Sequence, residues 1–174
     1  QTAKGHSNLG WLYATIGDYP KALEHYQKAL ASTEKGFGKE HAQTASAYNN
    51  LGAYYHTMGD YPKAIEYFHK ALVVFEKVFG KEHYTIATSY NNLSILYAAM
   101  GDYPKELSYA QKALVIREKI FGKEHTQTAA SYSSLGVYYE TMGNYPKAFE
   151  YNLKALVIRE KVLGKEHDAT SVSY

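Results

Sequence analysis

The chain has 174 residues, with 19 Lys and Arg against 17 Asp and Glu, a formal charge of +2 and no cysteine. Such a balance selects neither nucleic acid nor an anionic membrane surface as partner, and the missing thiols exclude disulfides, thiolate metal sites and cysteine nucleophiles. Its longest apolar runs, such as Ala113-Leu114-Val115-Ile116, are far too short to span a bilayer and no secretory signal is visible, so a reducing, cytoplasmic setting is expected.

Read in order, the chain repeats itself. Gly17-Asp18-Tyr19-Pro20-Lys21 returns at Gly59, at Gly101 and, with Asn144 for the aspartate, at Gly143, in steps of 42 residues. Gly-Lys-Glu-His keeps the same beat from Gly38, Gly80, Gly122 and Gly164. A fixed period of this size indicates an array of stacked units. The units run 1–42, 43–84, 85–126 and 127–168, with 169–174 as the truncated start of a fifth. The chain opens at Gln1-Thr2-Ala3, in register with Gln43-Thr44-Ala45, and stops at Tyr174, in register with Tyr48, so it reads as a fragment.

Each unit contains two helical patterns. First helices are predicted over 43–58 and 83–100, and a second helix over 62–79, roughly 18 residues and about 27 Å long. Gly59 is placed to end the first helix in a left-handed conformation, and Gly80 is expected to end the second in the same way. Asp60 or Tyr61 caps the second helix, with Pro62 in the opening turn, where a missing N–H costs nothing. Ala64, Phe68, Ala71, Phe75 and Val78, flanked by Ile65, Leu72 and Phe79, form a broad apolar stripe that must meet more than one neighbour. Glu24/Lys28, Glu66/Lys70 and Glu150/Lys154 add i,i+4 pairs on the wet side.

Asn50-Leu51-Gly52-Ala53-Tyr54-Tyr55, then Gly59-Asp60-Tyr61, then Ala64, Phe68 and Ala71-Leu72, resemble a tetratricopeptide repeat. The second helix runs about two turns beyond that family's usual length and ends in Gly-Lys-Glu-His instead of a proline, which resembles the repeats of kinesin light chains. The resemblance covers the whole chain. It implies an all-α fold, a right-handed superhelical α-solenoid of stacked antiparallel helix pairs. It also implies a concave groove lined by first helices, which in the family holds an extended or helical peptide segment of another protein.

A column of asparagines, Asn8, Asn50 and Asn92, with Asn49 and Asn91 one residue earlier, marks the first helices. Asparagine is a mediocre helix former, so its recurrence asks for a reason. The resemblance implies that the Asn50 position faces the groove and bonds a peptide backbone, a task suited to a carboxamide that donates and accepts at once. The alternative is that these side chains tie neighbouring repeats together. Specificity is expected from the variable columns beyond them, with Trp11, His56, Ile95 and Glu140 as binding candidates beside Ala53 and Val137. Relatives that clamp a terminal carboxylate carry lysine or arginine where this chain has Ser7, Asn49, Asn91 and Ser133, so a ligand held along its backbone by apolar anchors is expected.

The copies also disagree. The first has Gly5-His6 where others have Ala47-Tyr48, and Ala31-Ser32-Thr33 where others carry Val and Ile, which reads as a terminal repeat with fewer neighbours to satisfy, or as a helix end that receives another segment. In the third, Ser94, Glu106 and Ala110 replace a glycine, an alanine and an aromatic. A carboxylate at the closest approach of two helices is costly without a partner, so the Glu106 head is expected to reach Ser94 or the interface edge.

The Glu-His pairs, Glu40-His41 through Glu166-His167, are expected to shape turns, because equivalent residues one repeat apart stand about 8–10 Å away, too far to share one ion. No HExxH, P-loop, dinucleotide-binding loop or nucleophile elbow occurs, so neither enzyme activity, metal nor cofactor is expected. A rival to peptide binding is head-to-tail stacking of copies through an uncovered end carrying Val172 and Tyr174, which would give an open fibre. A bare spacer between other domains is a further alternative.

Overall fold

Eight α-helices account for most of the residues that the structure, a computed structural model, describes, namely 2–163. They are α1 (Ala3–Thr15), α2 (Tyr19–Phe37), α3 (Ala42–Thr57), α4 (Tyr61–Phe79), α5 (Tyr84–Ala99), α6 (Tyr103–Phe121), α7 (Thr126–Thr141) and α8 (Tyr145–Leu163). No strand occurs among the described residues. The chain divides into two units, Gln1–Lys81 with α1 to α4 and Glu82–Tyr174 with α5 to α8. In the first unit α1 packs on α2, α2 on α3 and α3 on α4; the second repeats this order from α5 to α8.

Local chemistry sets the helix ends. At the close of α3 the Gly59 N–H reaches the His56 carbonyl and the Asp60 N–H reaches that of Tyr55, both within 3.0 Å, with Gly59 at φ +73°. This Schellman arrangement requires the left-handed region that glycine enters freely. Asp60 then caps α4, its Oδ1 accepting from the Lys63 N–H at 3.3 Å, with Pro62 in the first turn. The end of α4 differs from expectation. Gly80 stands at φ 78°, ψ 166°, an extended region essentially reserved for glycine rather than the left-handed helical one, and its N–H still bonds the Glu76 carbonyl.

Helix pairs lock where a glycine meets a large side chain. A Cβ on Gly52 would lie 2.6 Å from the Phe68 ring, and one on Gly10 would lie 2.7 Å from the Tyr26 ring. In the first unit Ala22, Tyr26, Leu51 and Tyr54 build a core across α2 and α3, fastened at the rim by the Tyr54 hydroxyl donating to the Tyr19 carbonyl at 3.2 Å. Tyr48 donates to the Glu34 carboxylate at 2.7 Å; burial first, then that carboxylate, push its hydroxyl up to about 12. In the second unit Tyr132 makes the same bond to Glu118. Of the apolar stripe expected on α4, Ala64, Phe68, Ala71, Leu72 and Phe75 are buried, whereas Val78 and Phe79 are exposed at the helix end.

The third repeat keeps its volume by exchange: Ser94 and Ala110 are both buried where the others pair glycine with a large residue. The expected contact between Ser94 and the Glu106 head does not form. Ser94 Oγ donates instead to the Glu106 main-chain carbonyl at 3.1 Å. Burial raises the carboxyl's own pKa.

Candidate functional site

On α1, Lys4, Ser7 and Trp11 fall one turn apart on one face, and α3 runs beside it. Between the two helices lies a pocket of about 320 Å³, walled by Lys4, Ser7, Gln43, Ser46 and Asn50, with Thr33 and Ala47 at its base. Most of its lining residues are polar in type, although apolar atoms form the larger part of its surface, and Asn50 is the one expected binding residue that lines it. Asn8 is exposed on α1, and Asn49 is half-buried on α3. Trp11 is 65% exposed, an unusual state for the largest apolar side chain in the chain, and His56 sits with its ring 6.2 Å from Tyr61 at the far end of α3.

In the second unit, Asn91 and Asn92 are half-buried on α5, followed by Ile95, which is 51% exposed. On α7 the same columns hold Ser133, Ser134, Val137 at 58% exposure and the exposed Glu140. Four first helices thus present carboxamides or hydroxyls followed one turn later by an apolar side chain left in water, or by Ala53. Val172, Tyr174 and the Glu166-His167 pair lie outside the described residues.

Sequence reasoning missed three cations. Lys4 lines the α1/α3 pocket beside Asn50. Arg159 donates to Ser133 Oγ at 2.9 Å, and Arg117, 7% exposed, donates to Ser131 Oγ at 2.7 Å, both on α7. Burial lowers the Arg117 pKa, since a guanidinium gains no solvation there. The surface is therefore less uniformly uncharged than the sequence implies. The signal was available in the breaks of period: Lys4 is the only cation in a column with Ser46, Thr88 and Ala130, and Arg117 stands where Phe75 and Thr33 stand.

A second hollow went unforeseen. On the side of the second helices, about 720 Å³ opens between α2 and α4, lined by Tyr48, Tyr67, His69, Lys70 and Val73. The second unit has its counterpart, about 440 Å³, along α8 with Tyr132, Leu153, Lys154 and Val157. Lysines lie over the tyrosine faces here, Lys70 at 5.2 Å from the Tyr67 centroid and Lys154 at 5.2 Å from that of Tyr151.

The Glu-His pairs have local work. Nδ1 of His41, His83 and His125 accepts from the N–H two residues on, capping α3, α5 and α7 at 3.1–3.3 Å. Glu40, Glu82 and Glu124 pair with Lys77, Lys119 and Lys161 at the close of the following second helix. Among the described residues no cluster of three or more His, Cys, Asp or Glu could hold a metal ion, and no helix is long and apolar enough to cross a membrane.

No curated protein matches the chain. Solved structures do. BtubC (BKLC) from P. vanneervenii superposes with a TM-score of 0.83 at 26% identity, over 95% of this chain and 66% of its own length, just under two thirds. The Podosopora anserina kinesin light chain with nearly identical TPR-like repeats gives 0.81 at 23% identity, over 98% of this chain and 81% of that one. Apo RapI gives 0.77 at 18% identity, over 94% of this chain and 44% of that one, and shares the fold. The model of the tetratricopeptide repeat matches at 1–72, 43–119 and 107–161. With paired helices, glycine-to-aromatic locks and family matches along nearly its whole length, the chain belongs to the tetratricopeptide repeat family and has the all-α helix-pair solenoid fold of that family.

Proposed function

We propose that this chain is a protein-interaction scaffold that binds a peptide segment of another protein along its first helices. The observation that carries the reading is the α1/α3 pocket, with the Asn50 carboxamide in its wall and the exposed Trp11 one turn beyond Ser7. Carboxamides pair with a peptide backbone whatever its side chains, and an exposed aromatic beside such groups is the usual anchor of a binding surface. Ile95 and Val137 offer the same combination in the second unit. Asn8, Asn49, Asn91, Asn92, His56 and Glu140 complete the proposed contact set. The fold is that of proteins that usually bind rather than catalyse, and the family resemblance supports the same role here.

A random peptide library panned against the protein and against an Asn8/Asn50/Asn92→Ala triple variant tests this. Peptides enriched by the parent and lost from the folded variant are expected. Equal enrichment on both would place binding elsewhere, and no enrichment on either would favour an assembling or spacer array. Amidating the C-terminus of an enriched peptide is expected to change its affinity less than tenfold; a larger loss would indicate a carboxylate held by Lys4 or the arginines.

A further inference from the structure

Three of the four repeats place a tyrosine pair between their first and second helices: Tyr48 with Tyr67, Tyr90 with Tyr109, and Tyr132 with Tyr151, ring centroids 5.8–6.2 Å apart. A third tyrosine stacks on the second member, as Tyr55 does on Tyr67 at 5.5 Å. In the first repeat the third ring is kept, Tyr13 stacking at 5.3 Å, but both members of the pair are histidine, His6 of α1 and His25 of α2. The rings lie 5.2 Å apart and their Nδ1 atoms face each other at 3.0 Å. Replacing one tyrosine would be a change of packing. Replacing both members of one contacting pair brings together two nitrogens that can ligate a metal.

We propose that His6 and His25 form a two-imidazole site for a divalent transition-metal ion of the copper(II) or nickel(II) class. Nitrogens 3.0 Å apart, each about 2.0–2.1 Å from a shared ion, subtend about 94° at the metal. That is close to the right angle between adjacent positions of a tetragonal centre, and well below the tetrahedral angle that zinc favours. In the resting pair one Nδ1 carries a proton and lends it to the other. On binding, that proton moves to Nε2 of its own ring, so both Nδ1 lone pairs face the ion and the neutral pair releases no proton. Water fills the remaining positions.

The surroundings allow this. Glu24, beside His25, is ion-paired with Lys28, an ammonium whose charge also bears on His6. Lys21 is tied to Asp18 at 2.7 Å and lies 5.3 Å from the Tyr13 ring. Because the two ligands come from different helices, an ion there would cross-link α1 to α2 and fasten the first helix pair of its unit. Of the other described histidines, His41, His83 and His125 spend Nδ1 on helix caps and His56 lies against the Tyr61 ring.

Copper(II) and, separately, nickel(II) titrated into the full chain test the site, against a His6→Tyr/His25→Tyr variant and each single variant. The double variant restores the pair found in the other three repeats, so its helical circular dichroism should match the parent. The expected result is one ion per chain, with two equatorial nitrogens in the copper electron paramagnetic resonance spectrum. All three variants should bind at least tenfold more weakly, with one nitrogen or none. Parent and double variant agreeing within twofold would assign the metal to the remaining histidines and overturn the proposal. So would a parent spectrum with a single nitrogen per ion, a readout that holds even if a variant folds poorly.

Discussion

At the scale of single residues, the account turns on which atoms a side chain displaces. A Cβ on Gly52 would sit 2.6 Å from the Phe68 ring, wedged against α4. Gly52→Ala should therefore cost about 1–3 kcal/mol in urea unfolding, the usual range for overpacking. At Gly136 the nearest atom is the Asn152 Oδ1, the end of a flexible side chain that can swing away, so the same substitution should cost less there. The third repeat offers the reciprocal experiment. Ala110→Phe should destabilise while Ser94 is present, and Ser94→Gly should relieve it, with a coupling of about 0.5–3 kcal/mol in a double-mutant cycle. Additive effects would mean that the two positions do not share one space. Glu106 makes a prediction in pH. Burial raises its carboxyl above the ordinary value of 4.5, so the folded chain holds a proton that the unfolded chain has released. Its favourable contribution is complete below 4.5 and is lost as pH rises through the raised folded value. Stability should fall with pH in that window, and Glu106→Gln should flatten the fall. Glu106→Ala should be neutral or stabilising at pH 7; a loss above about 2 kcal/mol would reveal a satisfied buried carboxylate instead.

At the scale of helices, the ends were legible in the sequence because the rules that set them are local. Gly59, Asp60 and Pro62 act within one turn of where they stand, and the structure uses all three as read. Gly80 was legible as a stop but not as a conformation, since its extended ψ depends on where α5 begins. Gly80→Ala should cost about 1–3 kcal/mol, a backbone effect with no side-chain contact involved, because nothing lies within 4 Å of a Cβ there. Equal stability of that variant in thermal unfolding would show that the turn relaxes without glycine. The candidate site was only partly legible. The asparagine column announced itself by recurrence, and Asn50 does line a pocket. Lys4, Arg117 and the His6–His25 pair act across two helices, and their partners sit 14 to 46 positions away in the sequence. Periodicity displays what the repeats share; these residues work where one repeat departs from the rest.

For the molecule as a whole, each helix pair buries its face against the next within its unit. In the first unit the exposed Trp11 beside Ser7 and Asn8, and in the second the exposed Ile95 and Val137 beside Asn92 and Ser134, carry the chemistry on which the proposed peptide binding rests. The chain has a single tryptophan, and it stands within the proposed surface, so its emission reports directly on occupancy. A peptide enriched by panning should be titrated while Trp11 fluorescence and iodide quenching are followed, with calorimetry as an independent measure of binding. A blue shift and reduced quenching that saturate with the calorimetric isotherm, and weaken on Asn50→Ala, are the predicted result. Calorimetric binding that leaves Trp11 emission and quenching unchanged, and is indifferent to Asn50→Ala, would contradict the account.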